Sequence, residues 1–403
     1  MRILVHDYSG HPFQMQLSRA LAADHEVMHV HCASYQTGKG AVTRRDGDPA
    51  GLSIEAIDLG RTFDRYSWTR RLGQELAYGI RFSRRAASFR PDVILSSNDP
   101  LFAKSVAAAW CRISSTPWVF WLQDIYSLAM STHAKQRLGG AGRPLGAGFR
   151  ALERRLLRDA AAVVAITDDF RSPLRRWGIA SDKCHVIENW APLPELDALP
   201  KDNPWSRSHG LHDRRVLLYS GTLGLKHHPG LLLALAERFR SDPDVRVVVV
   251  SQGRGIDWLQ QEQAARRRDN RPLDNLVLLP YQPYELLAQV FASADILLVI
   301  LQDDAGVFSV PSKVLSNLCA RRPILAAMPG ANLGARTIER AGAGIVVAAN
   351  DERGWLAAAD KLLGDPDLRR RHGDMGRRYA EATFDIGTIT DRFEQILTTA
   401  ARG

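Results

Sequence analysis

A chain of 403 residues, 45% of them hydrophobic, is too long for one ordinary domain and can bury two cores of roughly 200 residues each. Its four cysteines, Cys32, Cys111, Cys184 and Cys319, form no CxxC pair, so neither a disulfide framework nor a zinc site is indicated, and a reducing cytoplasm fits. The net charge of +9 attracts phosphates of any kind, and no apolar run reaches bilayer-spanning length.

The predicted elements begin with MRILVHDY, an apolar run that breaks at His6 and Asp7 and is too short for a signal peptide. EVMHVHCA, DVILSS, TPWVFWLQ, AAVVAIT and KCHVIEN follow as buried strands, being brief, apolar or β-branched, and bounded by turn formers. Between them PFQMQLSRALAAD and LFAKSVAAAWCRI have helical spacing, and this alternation predicts a parallel sheet with crossover helices. Excess positive charge gathers from Arg61 to Arg90 and again from Lys135 to Arg158; a solvated helix face accounts for the same residues.

From Ala191 to Arg214 four prolines interrupt a polar stretch that is expected to hold no regular element, which marks a linker. The rhythm then restarts with RRVLLYSG, VRVVVVSQG, NLVLLPYQ, ADILLVIL, RPILAAMPG and AGIVVAA. The fold class is therefore α/β, two Rossmann-like domains with parallel sheets facing across a cleft. Domain bounds of 1–195 and 196–380 are expected, with 381–403 crossing back to the first domain, and ligands at carboxyl strand ends.

No GxGxxG fingerprint stands at the first strand-to-helix turn of either half, which argues against a dehydrogenase. Gly221 and Gly224 instead let backbone approach a ligand, with Lys226 placed to clamp a phosphate; an ordinary turn with a solvated lysine is the plainer alternative. Gly253 and Arg254 repeat the arrangement one strand later. In VPSKVLSNLC, Pro311 sits in the first turn of a helix and Ser312 and Lys313 at its positive end, a combination that suits a pyrophosphate as well as a plain helix start. In the first half, Gly10 and His11 occupy the opening turn. Asp124 lies past an apolar strand, as a sugar ligand or as a helix cap, and Asn189 and Trp190 close another strand. His133 reads as a surface histidine.

Taken in order, QDIYSL, IENW, YSGTLGLKH, VVVSQGRG, LPYQPYELL, ADILLVIL and PSKVLSNLCARRPILA resemble the GT-B retaining glycosyltransferases, and within them the fucosaminyltransferase-like branch that builds colanic acid, capsule and O-antigen. The resemblance covers nearly the whole chain. It implies that Lys226 grips the donor diphosphate and that Gly253 and Arg254 assist at the nucleotide. The segment Tyr281, Gln282 and Pro283 would hold the base through its backbone. Gly10 would approach the donor phosphates, and Asp124 would lie near sugar and acceptor, with His11 and Asn189 on the acceptor side. Relatives often carry two glutamates where this chain has Phe308 and Ser316; Ser312 and Lys313 are then the substitute diphosphate contacts and Ser316 a ribose contact, with Asp303 or Asp304 in reserve. Arg321 stands where a glycine is common.

The implied reaction retains anomeric configuration. It moves a sugar from a nucleotide diphosphate donor, UDP foremost, to a saccharide or polyprenyl-pyrophosphate-linked acceptor at the inner face of the cytoplasmic membrane, with no cofactor and no metal. Lys226, Arg254, Lys313 and helix amides would stabilise the leaving diphosphate. A UDP-sugar 2-epimerase is the enzymic rival. A nucleic-acid-binding protein is disfavoured because Trp118 and Trp121 fall in a buried strand.

Overall fold

A computed structural model describes the chain except for residues 36–41, 61–67, 98, 225–226 and 304–311 and the side chains of residues 68, 129, 132, 133, 136–138 and 141. Two compact units result, one of Met1–Asn189 with Asp385–Gly403, the other Trp190–Phe384.

The first unit has strands β1 (Arg2–Asp7), β2 (Glu26–Cys32), β3 (Leu52–Ile57), β4 (Val93–Ser96), β5 (Trp118–Leu122), β6 (Ala162–Ala165) and β7 (Cys184–Val186). Its helices are α1 (Pro12–Leu21), α2 (Trp68–Phe89), α3 (Leu101–Ser114), α4 (Tyr126–Leu138), α5 (Gly142–Asp159) and α6 (Arg171–Arg176). The second unit has α7 (Pro204–Ser208), β8 (Arg215–Ser220), α8 (Gly230–Arg238), β9 (Val245–Val250), α9 (Arg254–Arg268), β10 (Leu276–Leu279), α10 (Leu287–Ala292) and β11 (Ile296–Ile300). It continues with α11 (Ser312–Cys319), β12 (Ile324–Ala327), α12 (Leu333–Ala341), β13 (Gly344–Val347), α13 (Glu352–Gly364) and α14 (Pro366–Thr383). The last helix, α15 (Ile386–Arg402), belongs to the first unit, where Phe393 meets the Trp121 ring at 4.7 Å.

Both sheets are wholly parallel. Their orders, β3-β2-β1-β4-β5-β6-β7 and β10-β9-β8-β11-β12-β13, reverse direction between β1 and β4 and between β8 and β11. Such reversals splay the loops apart at the carboxyl ends and open a crevice for a ligand. The strands read as continuous apolar runs because helices cover both faces. Val247, Val249, Leu217, Tyr219, Leu298 and Trp355 pack into one core in the second unit.

Two expectations are corrected. The segment 191–214 does hold regular structure: Asn203 accepts from Ser206 N at 3.0 Å and Pro204 takes the first helical position, so α7 forms. Trp205 and Leu211 of this stretch are buried, so it packs as part of the second unit. Strand β3, LSIEAI, was not among the expected strands. It lies at the sheet edge and is half-buried along most of its length, so it lacks the apolar run that marks its neighbours.

Many of the arginines in the two basic stretches are tied into their own unit. Arg81 reaches the Asp58 carbonyl, Arg85 pairs with Glu55 at 3.6 Å, Arg154 donates to the Trp177 carbonyl at 2.7 Å and Arg155 lies 3.8 Å from Asp159. Arg321 adopts φ +57°, the left-handed conformation a glycine takes more easily, and its exposed side chain pairs with Asp374 at 2.5 Å. Among the described residues, no helix is long and apolar enough to cross a membrane.

Candidate functional site

At the switch point of the second unit, β8 ends in Ser220 and the chain turns through Gly221 at φ +126°, a conformation that side chains resist. The space a Cβ would fill there is occupied by the Lys313 side chain: the added carbon would collide with Lys313 Cε. Lys313, second residue of α11, donates to Tyr219 Oη and to the Thr222 carbonyl at 3.0 Å, with its ammonium 4.1 Å from the Tyr219 ring centroid. A fixed cation is thereby seated in the glycine turn. Tyr219 itself is buried, which pushes its phenol pKa well up, with Tyr281 adding to the effect, so the hydroxyl stays protonated.

The neighbouring strand end is braced against this turn. Gly221 N donates to the Val250 carbonyl at 2.9 Å, Leu223 N to the Gln252 carbonyl at 3.0 Å, and Ser251 Oγ to the Gly221 carbonyl at 2.8 Å. Gly253 caps α9, whose first residue is Arg254, an exposed side chain at the positive end of a 15-residue helix. Gly255 must also be a glycine, since a Cβ would run into Leu223 Cγ. The Gly224 amide donates to His227 Nδ1 at 2.9 Å and so serves the loop.

Ser312 begins α11 and is exposed; Ser316, one turn on, is half-buried. Gln282 is held on both sides, accepting from Trp205 Nε1 at 3.0 Å and donating to the Pro280 carbonyl at 2.9 Å. Tyr281 and Pro283 beside it are exposed. Asp303 accepts from Asn350 Nδ2 at 2.7 Å. Lys226, Asp304, Phe308 and Pro311 lie outside the described residues, as does the side chain of His133.

The first unit's switch point carries a second cluster. Gly10, at φ +74°, lets the chain double back so that its amide reaches Asp7 Oδ1 at 3.0 Å. Asp7 also accepts from His11 N at 2.5 Å and lies 3.2 Å from His11 Nδ1. Burial opposes the charge on Asp7, but the His11 hydrogen bond and charge outweigh it and hold the carboxyl below the usual range. His11 is likewise penalised by burial, yet Asp7, with Asp124 and Asp99 nearby, lifts its pKa above the ordinary imidazole value. The register that sets His6 beside Ser96 brings His6 Nδ1 within 3.1 Å of Asp99, and Lys104 within 3.8 Å of the same carboxylate. Burial pushes His6 down to about 4 and Lys104 to about 8.

Asp124 follows β5, but the N-cap of α4 is Ile125, and the amides of Tyr126 and Ser127 donate to the buried Glu153 at 2.9 and 3.1 Å. Asn189 Nδ2 donates to Gln123 Oε1 at 2.5 Å, which joins the carboxyl ends of β7 and β5 beside Asp124. Trp190 is buried. Asp7, Asp99, Lys104, Tyr219 and Glu153 were not singled out from the sequence. Asp7 had a signal, a carboxylate ending an apolar strand. Tyr219 and Glu153 had none, because their partners are remote in sequence.

Two doubly wound parallel units, each with charged groups gathered at its switch point, define an enzyme of the GT-B architecture. The glycosyl transferase 4-like domain model matches residues 11–190 and the model of glycosyl transferases group 1 matches residues 202–379. WcaI of Escherichia coli K12, named as a colanic acid biosynthesis glycosyl transferase, is 24% identical over 314 residues, covering 76% of this chain and 73% of its own. Alpha-D-kanosaminyltransferase of Streptomyces kanamyceticus is 24% identical over 253 residues, 60% and 62% of the two chains. Among solved structures, HepE of Anabaena in complex with UDP and glucose superposes with a TM-score of 0.72 at 16% identity, over 99% of this chain and 100% of that one. Sucrose-phosphate synthase of Thermosynechococcus elongatus gives 0.72 at 14%, over 99% and 98%. The chain belongs to the GT-B glycosyltransferase superfamily and is a glycosyltransferase with a group 1 domain.

Proposed function

We propose that the protein is a retaining glycosyltransferase that moves a hexose or N-acetylaminosugar from a UDP-sugar to a saccharide or polyprenyl-pyrophosphate-linked acceptor during surface polysaccharide synthesis, without a bound metal. The observation that carries this reading is Lys313, an ammonium held by Tyr219 and Thr222 in the Gly221 turn at the second unit's switch point. A diphosphate gains charge as the glycosidic bond breaks, and a preplaced cation lowers the energy of that state without reorganising. Arg254 and the amides opening α9 add positive potential, and Lys226 is assigned to the same diphosphate. The 281–283 loop would take the base and Ser316 the ribose.

The first unit would bind the acceptor through His11, Asn189 and Asp124, with Gly10 admitting the donor phosphates. The UDP and glucose named with HepE, the colanic acid named with WcaI and the kanosaminyl transfer named with the Streptomyces relative support the choice of donor and product. Contact with an anionic membrane is supported by α2, whose exposed Leu72, Leu76 and Ile80 recur every turn beside arginines. Co-flotation with phosphatidylglycerol liposomes at low salt is expected, and its absence would overturn that part.

Thermal shift against UDP-, GDP- and dTDP-sugars tests the donor assignment: a UDP-sugar should raise Tm in a concentration-dependent way, and no shift with any of them contradicts it. The carboxylates Asp7, Asp99 and Asp124 near His11 also favour a second reading, a UDP-sugar 2-epimerase, which needs an acid and a base. Incubation with UDP-sugar and no acceptor separates the two, since an epimerase interconverts the sugar and a transferase leaves it intact or slowly hydrolyses it.

A further inference from the structure

We propose that Trp205 is a positioning residue for the nucleoside of the donor: its indole pins the 280–283 loop beside the phosphate site, so that the loop meets the base in one fixed shape. This rests on the nucleotide-sugar reading and goes beyond it by assigning what holds the loop.

The strand register brings the parts together. Ser220, which ends β8, stands opposite Val250 of β9, and Val250 stands opposite Leu279, which ends β10. The Gly221 turn, the Gly253 turn and the 280–283 loop therefore leave three neighbouring strands side by side. Two strand spacings, roughly 10 Å, separate the first from the last, a gap that the ribose and α-phosphate of a nucleoside diphosphate bridge. Tyr281 of the loop is exposed, yet it lies close enough to Tyr219 to help raise that phenol's pKa, and Tyr219 accepts the hydrogen bond of Lys313. With the phosphates at Lys313, the base falls at this loop.

A loop that recognises a base through its main chain has to be held still, because each backbone group offers its hydrogen bond in one direction. α7 supplies the hold. Trp205 is buried, and its Nε1 donates to Gln282 Oε1 at 3.0 Å, while Gln282 Nε2 donates to the Pro280 carbonyl at 2.9 Å. Both ends of the Gln282 amide are thus committed to shaping the loop. α7 is itself anchored on α10: Trp205 N donates to Gln289 Oε1 at 3.1 Å and Asn203 Nδ2 to the Gln289 carbonyl at 3.2 Å. One strap therefore fixes the exit of β10 and the helix that follows it. His209 lies against the indole with ring centroids 4.3 Å apart, and its Nδ1 donates to the Trp205 carbonyl at 2.8 Å, which sets the ring in place.

The test compares the full chain with Trp205→Phe, which keeps an aromatic ring beside His209 and removes the N–H that reaches Gln282. Calorimetry with UDP, GDP and dTDP first picks the nucleotide that the unmodified protein binds. Affinities for that diphosphate and for its monophosphate should both fall about 3–10-fold in the variant, and by the same factor, because the lesion lies at the nucleoside. With the matching glucose donor and water as acceptor, the donor KM should rise by that factor while kcat stays constant, as happens when binding is lost equally from ground and transition states. A loss confined to the diphosphate, or a fall in kcat at constant KM, overturns the assignment.

Gln282→Ala should show the same loss, and Trp205→Phe added to it should weaken binding no further; additive losses mean that the two residues act separately and overturn the proposal. Should Trp205→Phe fail to fold, hydrogen exchange decides: the nucleotide should slow exchange of the Trp205 indole N–H in the unmodified protein, and an unchanged rate overturns the proposal. An unmodified protein that binds none of the three nucleotides sinks the nucleotide-sugar reading. One that binds, while Trp205→Phe stays within twofold of it, sinks the role of Trp205 alone.

Discussion

Lys313→Met keeps the aliphatic stem in the Gly221 turn and removes only the ammonium. The folded protein loses two hydrogen bonds, to Tyr219 Oη and the Thr222 carbonyl, and a cation–ring contact at 4.1 Å. The Lys313 side chain is half-exposed, so the net cost is about 1 kcal/mol, a Tm fall of about 2–4 °C. The effect on turnover is set by different physics. A charge-assisted contact to a diphosphate contributes about 1.5–3 kcal/mol to binding, so UDP affinity should drop about 10–150-fold. Charge that develops on the leaving group is stabilised more strongly still, and kcat should fall about 10²–10³-fold. Calorimetry with UDP and a UDP-release assay measure the two, with the melting temperature as control. A variant that binds UDP and turns over within threefold of the unmodified protein refutes the placement of Lys313 at the diphosphate.

Gly221→Ala strains a turn at φ +126° and forces the Lys313 side chain aside from the added Cβ, so a stability loss of roughly 1–3 kcal/mol should come with weakened UDP binding, checked by urea unfolding and calorimetry. Tyr219→Phe removes one hydroxyl that fixes the ammonium and should lower UDP affinity about fivefold, with little change in Tm. Acid should unfold the first unit early. Burial pushes His6 and His29 down to about 4, so the folded state resists protons that the unfolded chain takes up near 6.5, and stability is lost as pH falls from about 6.5 toward 4. His29→Gln should remove just under one proton from that limb, reducing the slope of unfolding free energy at pH 5 by about 1 kcal/mol per pH unit in urea titrations.

Twelve of the strands were legible because each is an apolar run between turn formers; β3 was not, since an edge strand need not be apolar throughout. The glycine turns at Gly10, Gly221 and Gly253 were legible as places of close approach, and all three have positive φ. What filled them was not. That Lys313 occupies the Gly221 turn depends on β11 returning beside β8, a contact across 92 residues that no local pattern records. Asp99 and Lys104 escaped notice for the same reason: their meaning lies in the strand reversal that sets β4 against β1. The capping box at Asn203 was readable in principle, but four prolines nearby outweighed it.

The most direct measurement is mass spectrometry of the products when the protein meets a UDP-sugar and a glycan-primed polyprenyl diphosphate. Release of UDP with an acceptor heavier by one sugar residue is the predicted result. Recovery of the acceptor unchanged, with the donor merely converted to its C2 epimer, would contradict it.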